Sequence, residues 1–348
     1  MANMNIRTPR FYVDHISYLL SRGVEQNGNF DVTATDAGAY LMGTFTTGSE
    51  PELFDMRPLN KVTFDTSADT DGHVLINIDT QSTSTKKSFV AILNHNMASA
   101  DAKVLIKASD TESHIQAVDM GSATAMDTPT EVVNADTIGS SIVIPATDGS
   151  TIVKFNEMEK RYWGIQFEGN SSNTFGSTDL FVGCILLGEY YEMPHAPDLQ
   201  VTRMISYNRL NDLQESYGGQ RFSNLKSYGR TATSTSKSPF TTGSNGYESY
   251  GGRLIYDMSF SFIDSTDLMP DEYDVPLATD DNFVEDVWNK TNGNHIPFIF
   301  SIDKDSEGDD ADNAESEHIF GRFANNSLDM QQVAPDIFNI SLTVEEEF

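Results

Sequence analysis

What most constrains this chain is a two-residue alternation of apolar and polar side chains that recurs along most of its length. It is plain in 88–96 (SFVAILNHN), 103–109 (KVLIKAS), 141–146 (SIVIPA) and Arg253–Asp264 (RLIYDMSFSFID), all rich in β-branched and aromatic residues. Successive side chains of a strand point to opposite faces, so such a run presents one face to bury and one to leave wet. Clusters of Gly, Asn, Asp, Ser and Pro bound the runs and supply turn geometry. The chain is therefore expected to be mostly β. Helical patterning is scarce. Residues 9–23 (PRFYVDHISYLLSRG) read either as a short helix stopped at Gly23 or as a strand followed by a turn. The better helix is 281–293 (DNFVEDVWNKTNG), where Phe283, Val284 and Val287 share a face, acidic residues crowd the first turn and Gly293 suits the stop.

A length of 348 residues leaves room for two domains. The segment 189–198 (EYYEMPHAPD) carries two prolines after an apolar stretch and reads as a linker. Before it, residues 31–190 offer enough short strands for a jelly-roll β-sandwich. After it, residues 199–348 form a second β-rich assembly domain with one helix. Residues 1–30 are expected to be an N-terminal arm or docking segment. The Ser/Thr/Gly tract 231–252 reads as a flexible surface insertion, or as a hairpin arm that orders against a neighbouring subunit.

Composition narrows the classes of function. With 38% apolar residues, 21 Phe and 13 Tyr, the chain has the material for a core despite a net charge of −30. A single cysteine, Cys184, excludes an internal disulfide framework and a cysteine-rich metal site. It lies in 181–188 (FVGCILLG), the longest strongly apolar run, too short to span a bilayer, so no membrane insertion is expected. The first residues, MANMNIRTPRF, lack a signal-peptide apolar stretch, which points to assembly in the cytoplasm. A pI near 4.3 opposes nucleic-acid binding, and no sequence-specific kind is expected. The charge is also segregated: 199–253 carry 7 basic and 3 acidic side chains, whereas 264–348 carry 3 basic and 22 acidic. Between copies such a split orients head-to-tail packing; within one chain it serves pairing across a sheet or solvation.

No catalytic constellation is present: G-x-S-x-G, the phosphate-binding and dinucleotide-binding glycine patterns and H-E-x-x-H are all missing. The seven histidines are scattered, and His95 is expected to be hydrogen-bonded into a turn. No catalytic residue is assigned. Two acidic loops are candidates for calcium. One holds Asp65, Asp69 and Asp71 before Gly72; the other, with Asp303, Asp305, Glu307, Asp309 and Asp310, begins like an EF-hand loop but has Ala314 where a bidentate Glu is needed. No other cofactor is expected. Tyr162 and Trp163 fall at a strand start and read as core, as does Phe320.

Four segments in order carry a family resemblance. They are 91–97 followed by 103–109; 161–167 followed by 180–188; 216–222 (SYGGQRF); and His318–Phe323 with Ile337–Glu346. Together they resemble tailed-bacteriophage virion structural proteins of the tail-tip or distal-tail type, with a discoidin-like jelly roll in the N-terminal half. The resemblance implies a non-enzymatic virion protein that assembles as a homo-oligomeric ring and links the tail to host-contacting parts. Its partners would be copies of itself, other phage virion proteins and host-surface glycan. Interface residues expected on this basis are Arg203, Arg209, Arg221, Arg230, Tyr247, Tyr250, Ile337 and Ile340. A head-associated virion protein, decorating the capsid or forming the neck, and a carbohydrate-binding module are the alternatives.

Overall fold

Alternation marks strands without saying which of them pair. A computed structural model of the protein supplies the pairing for residues 8–33, 45–206, 213–223, 253–270, 281–304 and 318–347. The fold is mostly β, with two large antiparallel sheets among these residues. The smaller sheet has seven strands. Its order is Thr137–Ile138, Ile142–Ile144, Ala102–Ser109, Tyr162–Gly169, His73–Asp79 and Phe30–Thr33, with Thr124–Ala125 added beside Ala102–Ser109. The larger sheet has eleven strands. It starts with Thr202–Ser206, Arg253–Asp264, Ile337–Glu346, His318–Phe323 and Phe298–Ser301. It continues with Arg10–Asp14, Cys184–Glu192, Lys86–His95, Gly149–Glu159 and Thr130–Val133, while Met330–Ala334 folds back on Ile337–Glu346.

In the N-terminal half the two sheets close into a β-sandwich. Val90, Ile92, Val153, Phe155, Ile185 and Leu187 of the large sheet meet Ile76, Ile78, Val104, Ile106, Ile165 and Phe167 of the small one. Trp163 lies fully buried there, stacked on Phe155 with ring centroids 5.5 Å apart, and its indole N–H donates to the Lys160 carbonyl at 2.9 Å. Fully burying one such large side chain contributes on the order of 2–3 kcal/mol.

The C-terminal half extends the same large sheet. Arg10–Asp14 pairs with Cys184–Glu192 on one side and Phe298–Ser301 on the other, and all five of its residues are buried. Residues 1–30, expected as an arm, therefore include a central strand of the sheet, Arg10–Asp14. Of 189–198, expected as a linker, residues 189–192 belong to the strand Cys184–Glu192, which is paired at Glu192 with Arg10. Alternation within the short strand then serves both halves. Phe11 and Val13 enter a C-terminal core with Phe283, Phe298, Phe300 and Phe323, and the Phe11 ring lies 5.2–5.9 Å from all four. Tyr12 enters a cluster on the opposite face with Phe89, Ala91, Leu186, Ile299 and Phe320.

Both readings of 9–23 hold in sequence. The strand ends at Asp14, whose carboxylate caps the helix His15–Ser21 by accepting the Ser17 N–H at 2.7 Å, and Gly23 turns away at φ 87°. The expected helix within 281–293 winds as a wide turn, Val284–Asn289, which buries Val287 beside Phe283. It is accompanied by short helices at His15–Ser21, Glu112–Ile115 and Ser265–Leu268, so the chain has more helical turns than the one expected.

Candidate functional site

Three strands and one turn end together at the edge of the C-terminal half. Register places Glu345 between Arg322 on one neighbour and Ile255 on the other, so Arg253, Arg322 and the run Glu345–Glu346–Glu347 converge. The turn after the wide helical segment adds Asn294 and His295, and Phe323 and Ala324 complete the walls of a pocket of about 410 Å³. Its polar groups pair largely with one another. Arg322 Nε donates to Glu347 Oε2, and Arg322 Nη1 donates to the His295 carbonyl at 3.4 Å. Glu346 is buried and accepts the Leu254 N–H at 2.9 Å, while Arg253 lies 3.8 Å from Glu345 Oε1. Two arginines thus share the lining with three glutamates, an asparagine and a histidine. Such a lining offers donors and acceptors side by side with little net charge.

The sequence-selected residues lie mostly elsewhere. Asp69 is half-buried and its carboxyl is raised, by burial and then by Asp65 and Asp179; Asp71 is exposed and its N–H donates to the Asn173 carbonyl at 2.8 Å. Asp303 is buried, and its carbonyl accepts the Ser301 hydroxyl at 2.8 Å. Asp305, Glu307, Asp309 and Asp310 lie outside the described residues. The described residues of these loops bring no three ligand atoms together; the two such groups among the described residues are elsewhere.

Of the expected interface residues, Arg203 is exposed on the strand Thr202–Ser206, its guanidinium 5.7 Å from the Tyr256 ring centroid. Arg221 opens the strand Arg221–Ser223 of a small hairpin, and Ile337 is half-buried. Ile340 is a correction, because it is only 2% exposed and belongs to the chain's own C-terminal core. Arg209, Arg230, Tyr247 and Tyr250 fall outside the described residues, as does the tract 231–252. Trp163 and Phe320 are buried, whereas Tyr162 is half-buried on the outer face with Arg161 4.9 Å over its ring.

His95 is buried, hydrogen-bonded to Thr151 Oγ1 at 2.9 Å and to the Met97 N–H at 3.3 Å, and burial lowers it to about 3. Burial also pushes the Cys184 thiol well above its ordinary value, which keeps it protonated and unreactive.

One converging acidic group, Glu157, Glu189 and Asp281, is filled by the chain's own cations. Lys86 bridges Glu157 at 3.1 Å and Asp281 at 2.9 Å, and Lys290 bridges Glu189 at 3.0 Å and Asp286 at 2.9 Å. This network joins the sandwich to the C-terminal helical turn. The C-terminal pocket was not foreseen from the sequence. The only signal for it was the Glu345–Glu347 run closing an alternating strand, which becomes informative once its register against Arg322 is known.

No family model matches the chain, and no curated protein matches it. Among solved structures, chitosan-binding module 1 of a chitosanase/glucanase from Paenibacillus sp. IK-5 is 14% identical, over 46% of this chain and 96% of that one, with a TM-score of 0.29. CBM32-1 of a family 31 glycoside hydrolase from Clostridium perfringens is 13% identical, over 47% and 100%, with a TM-score of 0.28. A truncated AlyQ with CBM32 and alginate lyase domains is 12% identical, over 90% and 88%, with a TM-score of 0.27. Values this low leave the ligand of this chain to be argued from its own residues.

Proposed function

We propose that the protein is a non-catalytic glycan-binding protein whose C-terminal pocket takes a neutral, polyhydroxylated group. The observation that carries this reading is the lining itself. Arg253 and Arg322 share the lining with Glu345, Glu346 and Glu347 and with Asn294 and His295, around about 410 Å³. A sugar hydroxyl both donates and accepts, so it is matched by carboxylates and guanidiniums set side by side. A compact anion would meet three carboxylates and a compact cation two guanidiniums, so either is repelled by part of the wall. Pockets of a few hundred Å³ suit small ligands, here one or two sugar rings. The test is a glycan array followed by calorimetry on Arg322→Ala and Asn294→Ala. Each variant is expected to weaken binding about tenfold or more. Binding unchanged in both variants sinks the assignment to this pocket, and glycan turnover would sink the non-catalytic reading.

A second reading, self-assembly as in a tailed-phage distal-tail component, is favoured by the edge of the large sheet. Thr202–Ser206 ends the strand order among the described residues, and nearby Leu199 is 95% exposed and Ile205 59%. A strand edge flanked by exposed apolar side chains is a template for pairing with another chain. Native mass spectrometry of the full chain and of Ile205→Lys tests it. Rings lost in the variant support the reading, and monomers in both remove it.

A further inference from the structure

The outer face of the small sheet carries a second converging group, and it is not filled by a lysine at its centre. His73 begins one strand, Glu168 stands opposite it on the next, and Asp119 lies in the turn that folds over this face. Their ligand atoms all lie within 4.8 Å of one another, and His73 Nδ1 is 3.0 Å from Glu168 Oε2. His73 and Glu168 are buried to 5% exposure each, while Asp119 is open to solvent.

Each donor is oriented from behind. Lys103 Nζ takes Glu168 Oε1 at 3.0 Å, which leaves Oε2 turned toward His73. The Asp119 backbone is pinned at both ends, its N–H donating to Gln166 Oε1 at 3.2 Å and its carbonyl accepting Lys107 Nζ at 2.7 Å. Gln166 Nε2 then sits 2.9 Å from His73 Nδ1 and 3.3 Å from both Asp119 Oδ1 and Glu168 Oε2. An amide nitrogen brings two hydrogens to these three acceptors.

We propose that His73, Asp119 and Glu168 bind a first-row divalent cation of the zinc type, with solvent completing the coordination on the Asp119 side. One imidazole with two carboxylates suits zinc or manganese better than calcium, which prefers a cage of six or more oxygens. The outer partners Lys103 and Lys107 act as the supporting shell that such sites require. Binding draws Gln166 Nε2 out of the centre and ties the turn around Asp119 to two strands of the sheet.

The experiment is zinc binding by the metal-stripped full chain, measured by calorimetry and by metal analysis after dialysis. About one zinc per chain is expected, with affinity lowered roughly tenfold or more in Asp119→Asn and in His73→Gln. Asp119 is exposed, so its variant keeps the fold and reports the ligand alone. Cobalt(II) in place of zinc is expected to give visible absorption bands that Asp119→Asn alters. Zinc bound equally by wild type and Asp119→Asn, or not bound at all, overturns the site. Calcium binding that matches zinc in strength and in its loss with Asp119→Asn overturns the choice of cation.

Discussion

Lys290, on the helical turn of the C-terminal half, meets Glu189, on a strand of the sandwich, at 3.0 Å. Burial pulls the Lys290 ammonium down, but Asp286 and Glu189 outweigh it and hold the group above the ordinary lysine value. The side chains are 19% and 11% exposed, so removing the cation strands two carboxylates away from water. Lys290→Met is expected to lower stability by about 2–4 kcal/mol, read as a shift of the urea midpoint. A change within error would mean that solvent already satisfies Glu189.

The shared sheet predicts that the halves unfold together. Trp163 sits in the sandwich core and Trp288 packs on Phe323 of the other core, with ring centroids 5.2 Å apart. Two single-tryptophan variants, Trp163→Phe and Trp288→Phe, therefore report separately on the two halves. Their fluorescence transitions in urea are expected to coincide once each is compared with its own circular-dichroism curve. Separate midpoints by the two methods would show that the sheet parts at Arg10–Asp14.

Gly188 tests that seam directly. It pairs with Asp14, and a Cβ added there would run into the Val13 carbonyl of the neighbouring strand. Since the obstacle is backbone in the centre of a sheet, Gly188→Ala is expected to cost about 3 kcal/mol and to reduce soluble yield. A variant as stable as wild type would mean that the strands slide apart at little cost.

A buried amine gives the stability a pH dependence. Lys87 is 0% exposed, and its ammonium reaches Thr85 Oγ1 at 2.7 Å and two backbone carbonyls, with no carboxylate in ion-pair range among the described residues. Burial pushes it well below the ordinary lysine value, and Lys290 adds to the push while Glu189 and Asp14 oppose it. Between that depressed value and the unfolded value of about 10.4, the unfolded chain holds more protons, so stability rises as pH rises through the window. Lys87→Met is expected to remove this rise and to stabilise the protein at about pH 7 by roughly 1–3 kcal/mol. Urea midpoints at about pH 7 and about pH 9.5 for both proteins decide it; parallel pH dependences would assign the proton to another group.

Much of the strand content was legible because alternation is a local property. Arg253–Asp264 runs over the span its pattern marks, and the expected 103–109 and 88–96 differ from Ala102–Ser109 and Lys86–His95 by at most two residues at an end. Phe283 and Val287 also bury the face read from their spacing. Partners were not legible. Nothing near Arg10–Asp14 announces neighbours at 188–192 and 299–301, since pairing across such distances leaves no local trace. The pocket was hidden for the same reason: Arg253, Arg322 and Glu345 meet only through register. Loop aspartates drew attention to Asp69, Asp71 and Asp303, whereas His73 and Glu168 sit inside alternating strands and read there as ordinary outward positions.

The place of Arg10–Asp14 in the large sheet also sets an order on biosynthesis. This strand leaves the ribosome well before one of its two neighbours, which ends at Ser301. At about 5–20 residues per second, roughly 15–60 seconds pass before that neighbour emerges. During this interval Phe11, Tyr12 and Val13 have no complete core to enter. The nascent chain therefore carries an unpartnered aromatic segment until Phe298–Ser301 has been made, a natural handle for a holding chaperone, and the sheet closes late. Placing 8–23 after Ile337–Glu346 in a rearranged chain would let the strand arrive when its berth is ready.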